Sequence, residues 1–418
     1  MAFDFLEPVD ISVLDFVKNL NSQTIGKKTV FHTQEDFPDL NKIKVAVIGV
    51  LDNRGSNAGG EVDLKFIRNE FYALYPGNWH ATIADLGDIP QGNTQEDTYY
   101  AVAKIVAELI KKQIVPIVLG GSQDLTYAMY RSYDNLDQMV NLATIDNRFD
   151  FGKDESRNTE DSYLSKIIIN EPNNLFNYSN LGFQTYYNSQ EEIDLIEKLY
   201  FDAYRLGEVC SNLSLAEPVF RDSDIVSVDL TSIKSADSGN FVTFTPNGFN
   251  GKEICALARY AGLSDKVSSF GIFKHNNLAN ESVLIAQTIW YFIEGYNFRS
   301  LEYPNLNQNL FLKYIVPVDD IELIDTYSND LTSLAAAITF AEQQAGGRQG
   351  ACSSAHFLFV QTCTPIRVFP QGTRHMHTTP GLIIPVRQRC RPEGPTHERD
   401  PDHEHRHRCA QRARGGVA

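Results

Sequence analysis

The stretch from Val140 to Asp150 constrains this chain more than any other. Val140 to Ile145 is an apolar run with β-branched residues, and Asp146, Arg148 and Asp150 follow it at once. An apolar segment that turns charged at its last residue is the pattern of a strand buried on both faces of a parallel sheet. In open α/β sheets, ligands sit outside the carboxyl ends of the strands. Two carboxylates and a guanidinium therefore arrive where a ligand or an ion would be held.

Similar runs recur along the chain. Lys44–Val50, His80–Leu86, Ile114–Gly120, Asp224–Leu230 and Lys266–Phe273 read as strands, and Leu181–Tyr186 as a further one. Between them lie segments of helical spacing: Asp10–Leu20, Glu61–Leu74, Glu96–Lys112, a helix from Leu125, a loop and helix within 151–170, Ser189–Leu206, Gly251–Ala261 and Asn280–Tyr296. In Glu96–Lys112 the apolar Val102, Ile105, Val106, Leu109 and Ile110 form one stripe. This alternation predicts a three-layer α/β/α domain with a mostly parallel sheet over residues 1–325.

After about Asp330 the pattern fails. Ala335–Phe340 has the composition of a short helix, and beyond Gly346 no periodicity is sustained. Residues 346–418 hold 11 Arg, no Lys and 5 acids, a balance of +6 against −22 for the rest of the chain. Seven of the ten His and four of the six Cys lie there too. Such a composition buries too little apolar surface to offset ordering entropy, so 326–418 is expected to be a disordered or aberrant tail. A shifted reading frame would also produce the abrupt replacement of Lys by Arg.

The overall charge of −16 argues against nucleic-acid binding. No run approaches the roughly 18 uninterrupted apolar residues of a membrane span. The first ten residues already carry Asp4, Glu7 and Asp10, unlike a signal peptide. A soluble, cytoplasmic protein is predicted. Cys210 and Cys255 have no paired spacing and read as buried apolar thiols.

Three strand ends bring polar groups that could converge: Gly120–Asp124 with Gln123, Asp146–Asp150, and Ser227–Lys234 with Asp229 and Thr231. Several neighbours have a plainer reading beside the functional one. Asp124 opens a helix, so it is a candidate N-cap as well as a ligand. His275 is the sole histidine of the body near these ends, and a lone histidine is more often structural than catalytic. Gly55–Gly60 follows the first long strand but lacks both the Lys-Ser/Thr of a P-loop and the spacing of a dinucleotide fingerprint, so no nucleotide is expected. Asn240 and Asn247 could touch a ligand or form turns.

The three segments resemble the arginase family of ureohydrolases, which includes agmatinase and formimidoylglutamase. That family carries Gly-Gly-x-His, Asp-x-His-x-Asp and Ser-x-Asp-x-Asp-x-x-Asp-Pro in this order. They hold two manganese ions bridged by hydroxide. The resemblance covers roughly 40–300, and Pro246–Phe249 and Ala258–Lys266 look closest to the formimidoylglutamase branch. It implies an arginase-like fold, a small guanidino, amidino or amino-acid ligand, and homo-oligomers. It also places the small-residue loop Gly55–Gly60 at the mouth of the site.

Residue by residue, Asp146, Asp150 and Asp229 match family metal ligands. Gln123 and Arg148 stand where the family has His, Thr231 where it has Asp, and Lys234-Ser235 where it has Asp-Pro. Lys274 falls where the family has a Glu near the substrate. With Gln123 as a neutral oxygen donor, Asp146, Asp150 and Asp229 could hold one weak manganese ion at most. Arg148 has no lone pair to donate. It is expected instead to replace the second ion as counter-charge to Asp146 and Asp229. Two ions activate the family's nucleophilic water. The expectation is therefore a catalytically silent binding or regulatory protein, with zero or one manganese and no assignable catalytic residue. The alternative is a hydrolase of a C–N bond in a guanidino or formimino substrate that works with one metal or an altered centre.

Overall fold

A computed structural model describes residues 2–57, 59–136, 138–152 and 158–300, together with the backbone of 311–318, 321–328 and 367–370. The chain divides into two units, Met1–Leu312 and Lys313–Ala418.

The first unit is built on nine strands: β1 (Val30–Phe31), β2 (Val45–Val50), β3 (Ile83–Ile89), β4 (Val115–Gly120), β5 (Val140–Ile145), β6 (Leu175–Phe183), β7 (Asp202–Arg205), β8 (Ile225–Asp229) and β9 (Ser269–Phe273). Their order is β1-β3-β2-β4-β9-β8-β5-β6-β7, and every neighbouring pair is parallel. Every residue of β2, β4, β5, β8 and β9 is buried. Helices cover both faces, so alternate residues enter two different cores. Val45, Val47, Ile117, Ile145, Val226 and Ile272 pack on one side with helices Lys65–Ala73, Gly251–Leu263 and Ala279–Asn297. Ala46, Ile48, Val118, Leu142 and Ile225 pack on the other, with Gln95–Lys111, Leu125–Arg131 and Tyr163–Ile169.

Local chemistry sets the helix ends. Thr94 with Asp97, Ser189 with Glu192 and Asn250 with Glu253 form capping boxes. Helices Gly251–Leu263 and Ala279–Asn297 cross closely because Gly262 and Gly295 face the partner backbone. A Cβ at Gly262 would lie 2.0 Å from Phe292 O.

Two expectations for elements change. The helical pattern Ser189–Leu206 stops at Lys198, and the chain turns into edge strand β7 before helix Leu206–Ser211. Leu181–Tyr186 belongs to the longer β6, which ends at Phe183. The first is an edge effect: a short edge strand buries only one flank and carries little hydrophobic signal. In β6, which lies between β5 and β7, Asn177, Ser179 and Asn180 interrupt the apolar run that would mark its start. Cys210 and Cys255 are free thiols, and Cys255 is buried.

A separate three-stranded sheet holds β10 (Phe311–Val318), β11 (Ile321–Ser328) and β12 (Arg367–Pro370), in that order, with β11 antiparallel to β12. The expected helix at 335–340 and most of the tail lie outside the described residues. Among the described residues no helix is long and apolar enough to cross a membrane.

After β4 the chain passes over two strand positions to reach β5, and β9 and β8 fill the gap later. That crossing opens a crevice at the carboxyl ends of β4, β9, β8 and β5, where an α/β sheet of this kind binds its ligands.

Candidate functional site

Asp146 is the first residue beyond β5. Its backbone N–H still bonds Leu181 O at 3.1 Å, which holds it at the sheet edge. Asp146 Oδ1 accepts the backbone N–H of Arg148 at 3.0 Å, closing an Asx turn. The turn runs to Asp150, whose φ of +56° is left-handed. β8 ends on Asp229, and Asp229 Oδ1 accepts the Thr231 N–H at 2.6 Å. Asp229 pairs in register with Phe273 on β9. The next residue, Lys274, has φ +62° and donates its N–H to Gly121 O on the β4 side at 2.8 Å. Left-handed backbone is costly for lysine. Here it accompanies a turn that carries the side chain to Asp229, with Nζ 2.8 Å from Oδ2.

The electrostatics follow from this packing. Asp146, Asp150 and Asp229 are buried, with at most 4% exposure. Burial, with repulsion from Asp150 and Asp229, pushes the Asp146 carboxyl well above the usual carboxylate range. Burial pushes Asp150 up to about 7, against the pull of Lys274. Burial by itself would lower Lys274, but Asp229, Asp150 and Asp146 hold its ammonium and raise it. Asp146 Oδ2, both oxygens of Asp150 and Gln123 Oε1 are buried without a hydrogen-bond donor among the described residues. Gln123 spends its amide N–H on Ser227 Oγ at 2.9 Å. Among the described residues no three His, Cys, Asp or Glu side chains are disposed to hold a metal ion.

The counter-charge expected of Arg148 is supplied by Lys274 instead. Arg148 is exposed, and its guanidinium lies over the Tyr187 ring, 4.8 Å from the centroid. The cause is the Asx turn. It uses the backbone of Arg148 to satisfy Asp146, so the side chain projects away from the carboxylates.

The remaining candidates separate. Thr231 and His275 line the crevice. His275 is neutral, because burial pushes it down to about 4, and its Nδ1 accepts the Asn277 N–H at 3.4 Å. Lys234 lies away from the crevice and contacts Asp237 at 3.5 Å. Asp124 occupies the N-cap position but does not cap. Its carboxylate instead accepts from Gln95 Nε2 at 2.8 Å and from the Tyr99 hydroxyl. Gly55 sits against that carboxylate, where a Cβ would meet Oδ1 at 2.0 Å. The small-residue loop is thereby drawn over the crevice, where Ser56, Asn57 and Gly59 form part of its wall. Asn240 is a turn former, accepting the Val242 and Thr243 N–H groups. Asn247 clamps Gln184 and Tyr186.

These walls enclose a cleft of about 340 Å³. Residues with no distinct sequence signal complete it: Asn147, Glu160, Asp161 and Tyr187. Glu160 and Asp161 fold back against Asn57, whose N–H donates to Glu160 Oε1 at 2.9 Å. An adjacent acidic pair between a strand and a helix was the available sign of them, and it is shared by many solvated loops.

A wholly parallel sheet with acids and a lysine gathered over its crossing point defines an α/β protein with a switch-point site. The chain belongs to the arginase family, whose model matches residues 44–273. Formimidoylglutamase of Staphylococcus aureus is 24% identical over 279 residues, which are 62% of this chain and 89% of that protein. The crystal structure of Trypanosoma cruzi formiminoglutamase with Mn2+ superposes with a TM-score of 0.56 at 17% identity, covering 63% of this chain and all (100%) of that one. Agmatine ureohydrolase of Thermoplasma volcanium superposes with a TM-score of 0.53 at 20% identity, covering 68% and 97%. These structural likenesses establish the arginase-like fold.

Proposed function

We propose that this arginase-family protein is a binding or regulatory member whose centre no longer turns substrate over. The observation that carries the reading is the ion pair between Lys274 and Asp229 at 2.8 Å. An internal ammonium pairs with Asp229, one of the carboxylates that would have to hold divalent ions. Gln123, Arg148 and Thr231 stand where the resemblance places two histidines and an aspartate. The residues present therefore do not fit a two-manganese centre. An activated hydroxide at neutral pH depends on such ions, so no hydrolytic step is assigned to this chain.

A second reading has one observation in its favour. Asp146 Oδ2, the Asp150 oxygens and Gln123 Oε1 are buried oxygens without donors, and oxygen donors suit a manganese ion. A single ion there would make the protein a one-metal hydrolase of a C–N bond in a guanidino or formimino substrate. Metal analysis after dialysis against manganese, with assays for formamide release from formimidoylglutamate and urea release from agmatine, separates the two. Metal-free protein with no release supports the silent reading; one ion per chain with turnover supports the one-metal reading; two ions per chain with turnover overturns both.

A further inference from the structure

The turn that carries Lys274 is held by a buried carboxylate with no counter-charge. Lys274, His275 and Asn276 line the cleft, and the turn contains two left-handed residues, Lys274 at φ +62° and Asn277 at φ +54°. Glu281, in the first turn of helix Ala279–Asn297, reaches back to it, and its Oε2 accepts the Asn276 N–H at 2.7 Å. Glu281 is 1% exposed, and its Oε1 is buried without a hydrogen-bond donor among the described residues. The Asn240 side chain lies beside the same carboxyl. Asn240 shapes the 239–245 loop, since its Oδ1 accepts the Val242 and Thr243 N–H groups at 3.0 and 3.1 Å. Thr245 closes that loop on Ser235, its N–H donating to Oγ and its carbonyl accepting the Ser235 N–H, both at 2.7 Å. Thr243, Phe244 and Thr245 line the cleft as well. Glu281 therefore touches the supports of two cleft walls. The loop is the weaker wall, because Phe241, Val242 and Phe244 are exposed and little apolar burial holds it down.

The titratable groups on the surrounding elements are committed elsewhere. Lys274 is paired with Asp229, and His275 is neutral with its Nδ1 on the Asn277 N–H. Beside the helix Ser235–Ser238, Asp237 accepts the Gly251 N–H at 2.7 Å and contacts Lys234. Asp63, behind Asn277, accepts the Lys65 N–H at 3.0 Å. The 239–245 loop has no ionisable side chain. We infer that Glu281 is a proton-controlled latch on the cleft: protonated, it stays beneath the turn and the loop, and ionised, it is hydrated by lifting the 239–245 loop. A buried carboxylate without a cation is costly, and water relieves the cost. Burial pushes the Glu281 carboxyl from 4.5 up to about 7, against the pull of the Asn276 N–H and Asn240. The closed cleft thus holds the proton more tightly than an opened one. Opening is suppressed below about pH 4.5, grows as pH climbs, and levels off above about 7. The latch is independent of any ion in the centre, because Glu281, Asn276 and Asn240 are not candidate ligands.

The test is amide hydrogen exchange of the full chain in EDTA at about pH 5 and about pH 7.5, corrected for the intrinsic pH dependence of exchange. The parent is compared with Glu281→Gln, which keeps the shape of the protonated acid and cannot ionise. The quantity read is the parent-to-variant ratio of opening at Val242, Thr243 and Thr245. Contributions from His275 and other groups are common to both chains and cancel. The ratio should rise about tenfold or more between the two pH values, since each pH unit between the open and closed pKa values is worth tenfold. The loop amides should also open more readily than those of β2 at either pH. A ratio that does not change with pH overturns the proposal. So does a changing ratio in which the loop opens no more readily than β2, because ionisation would then strain the whole fold and not lift the loop. If Glu281→Gln does not fold, the Glu281 carboxyl-carbon shift of the labelled parent is followed from about pH 4 to 9. A midpoint near 7 supports the latch, and one near 4.5 overturns it.

Discussion

Lys274 Nζ lies 2.8 Å from Asp229 Oδ2, each residue at the carboxyl end of one of two adjacent parallel strands. Lys274 is 11% exposed and Asp229 fully buried, so solvent screens the pair poorly. Removing one partner of a buried pair leaves the other uncompensated. Lys274→Met should destabilise the fold by about 3–5 kcal/mol in EDTA at pH 8. Arg148→Ala, which removes an exposed guanidinium, should cost less than about 1 kcal/mol. Urea denaturation of the two variants checks the order, and equal losses would show that Arg148 shares the counter-charge.

If Lys274 excludes a second cation, restoring ligands alone will not restore a metal centre. Gln123→His, Arg148→His and Thr231→Asp together should leave manganese uptake low while Lys274 remains. Adding Lys274→Glu should raise it to a measurable stoichiometry. Metal content after dialysis is the readout, and strong uptake by the triple variant would show that the ammonium is no barrier.

His275 makes stability depend on pH in a defined direction. Burial lowers its folded pKa from 6.5 to about 4. The folded value lies below the unfolded one, so its contribution is complete above about pH 6.5 and is lost as pH falls towards 4. His275→Gln should give a shallower fall in melting temperature between pH 6.5 and 4 than the parent chain. Parallel curves would mean that the ring titrates as in water.

A second buried network lies far along the sheet, under β3. Arg68 is 2% exposed and pairs with Asp85 at 2.8 Å, while Tyr72 donates its hydroxyl to the same carboxylate at 2.5 Å. Arg68→Met should cost about 3–5 kcal/mol. Urea denaturation measures the loss, and a change below about 1 kcal/mol would show that the network contributes little.

The strand runs, the parallel sheet and the acids Asp146, Asp150 and Asp229 were legible in the sequence, because burial on both sheet faces writes itself as short apolar segments and their ends are marked by charge. The same holds for the helices that open on capping boxes at Thr94 and Asn250. Which cation would meet those acids was not legible. Arg148 is two residues from Asp146 in sequence, yet an Asx turn takes up its backbone and sends its side chain outward. Lys274 is remote in sequence from Asp146, and it arrives only because β9 and β8 insert between β4 and β5. Local spacing specifies where a side chain leaves the backbone. Strand order decides which charges face each other in a low-dielectric crevice, and that order is set by packing across the whole sheet.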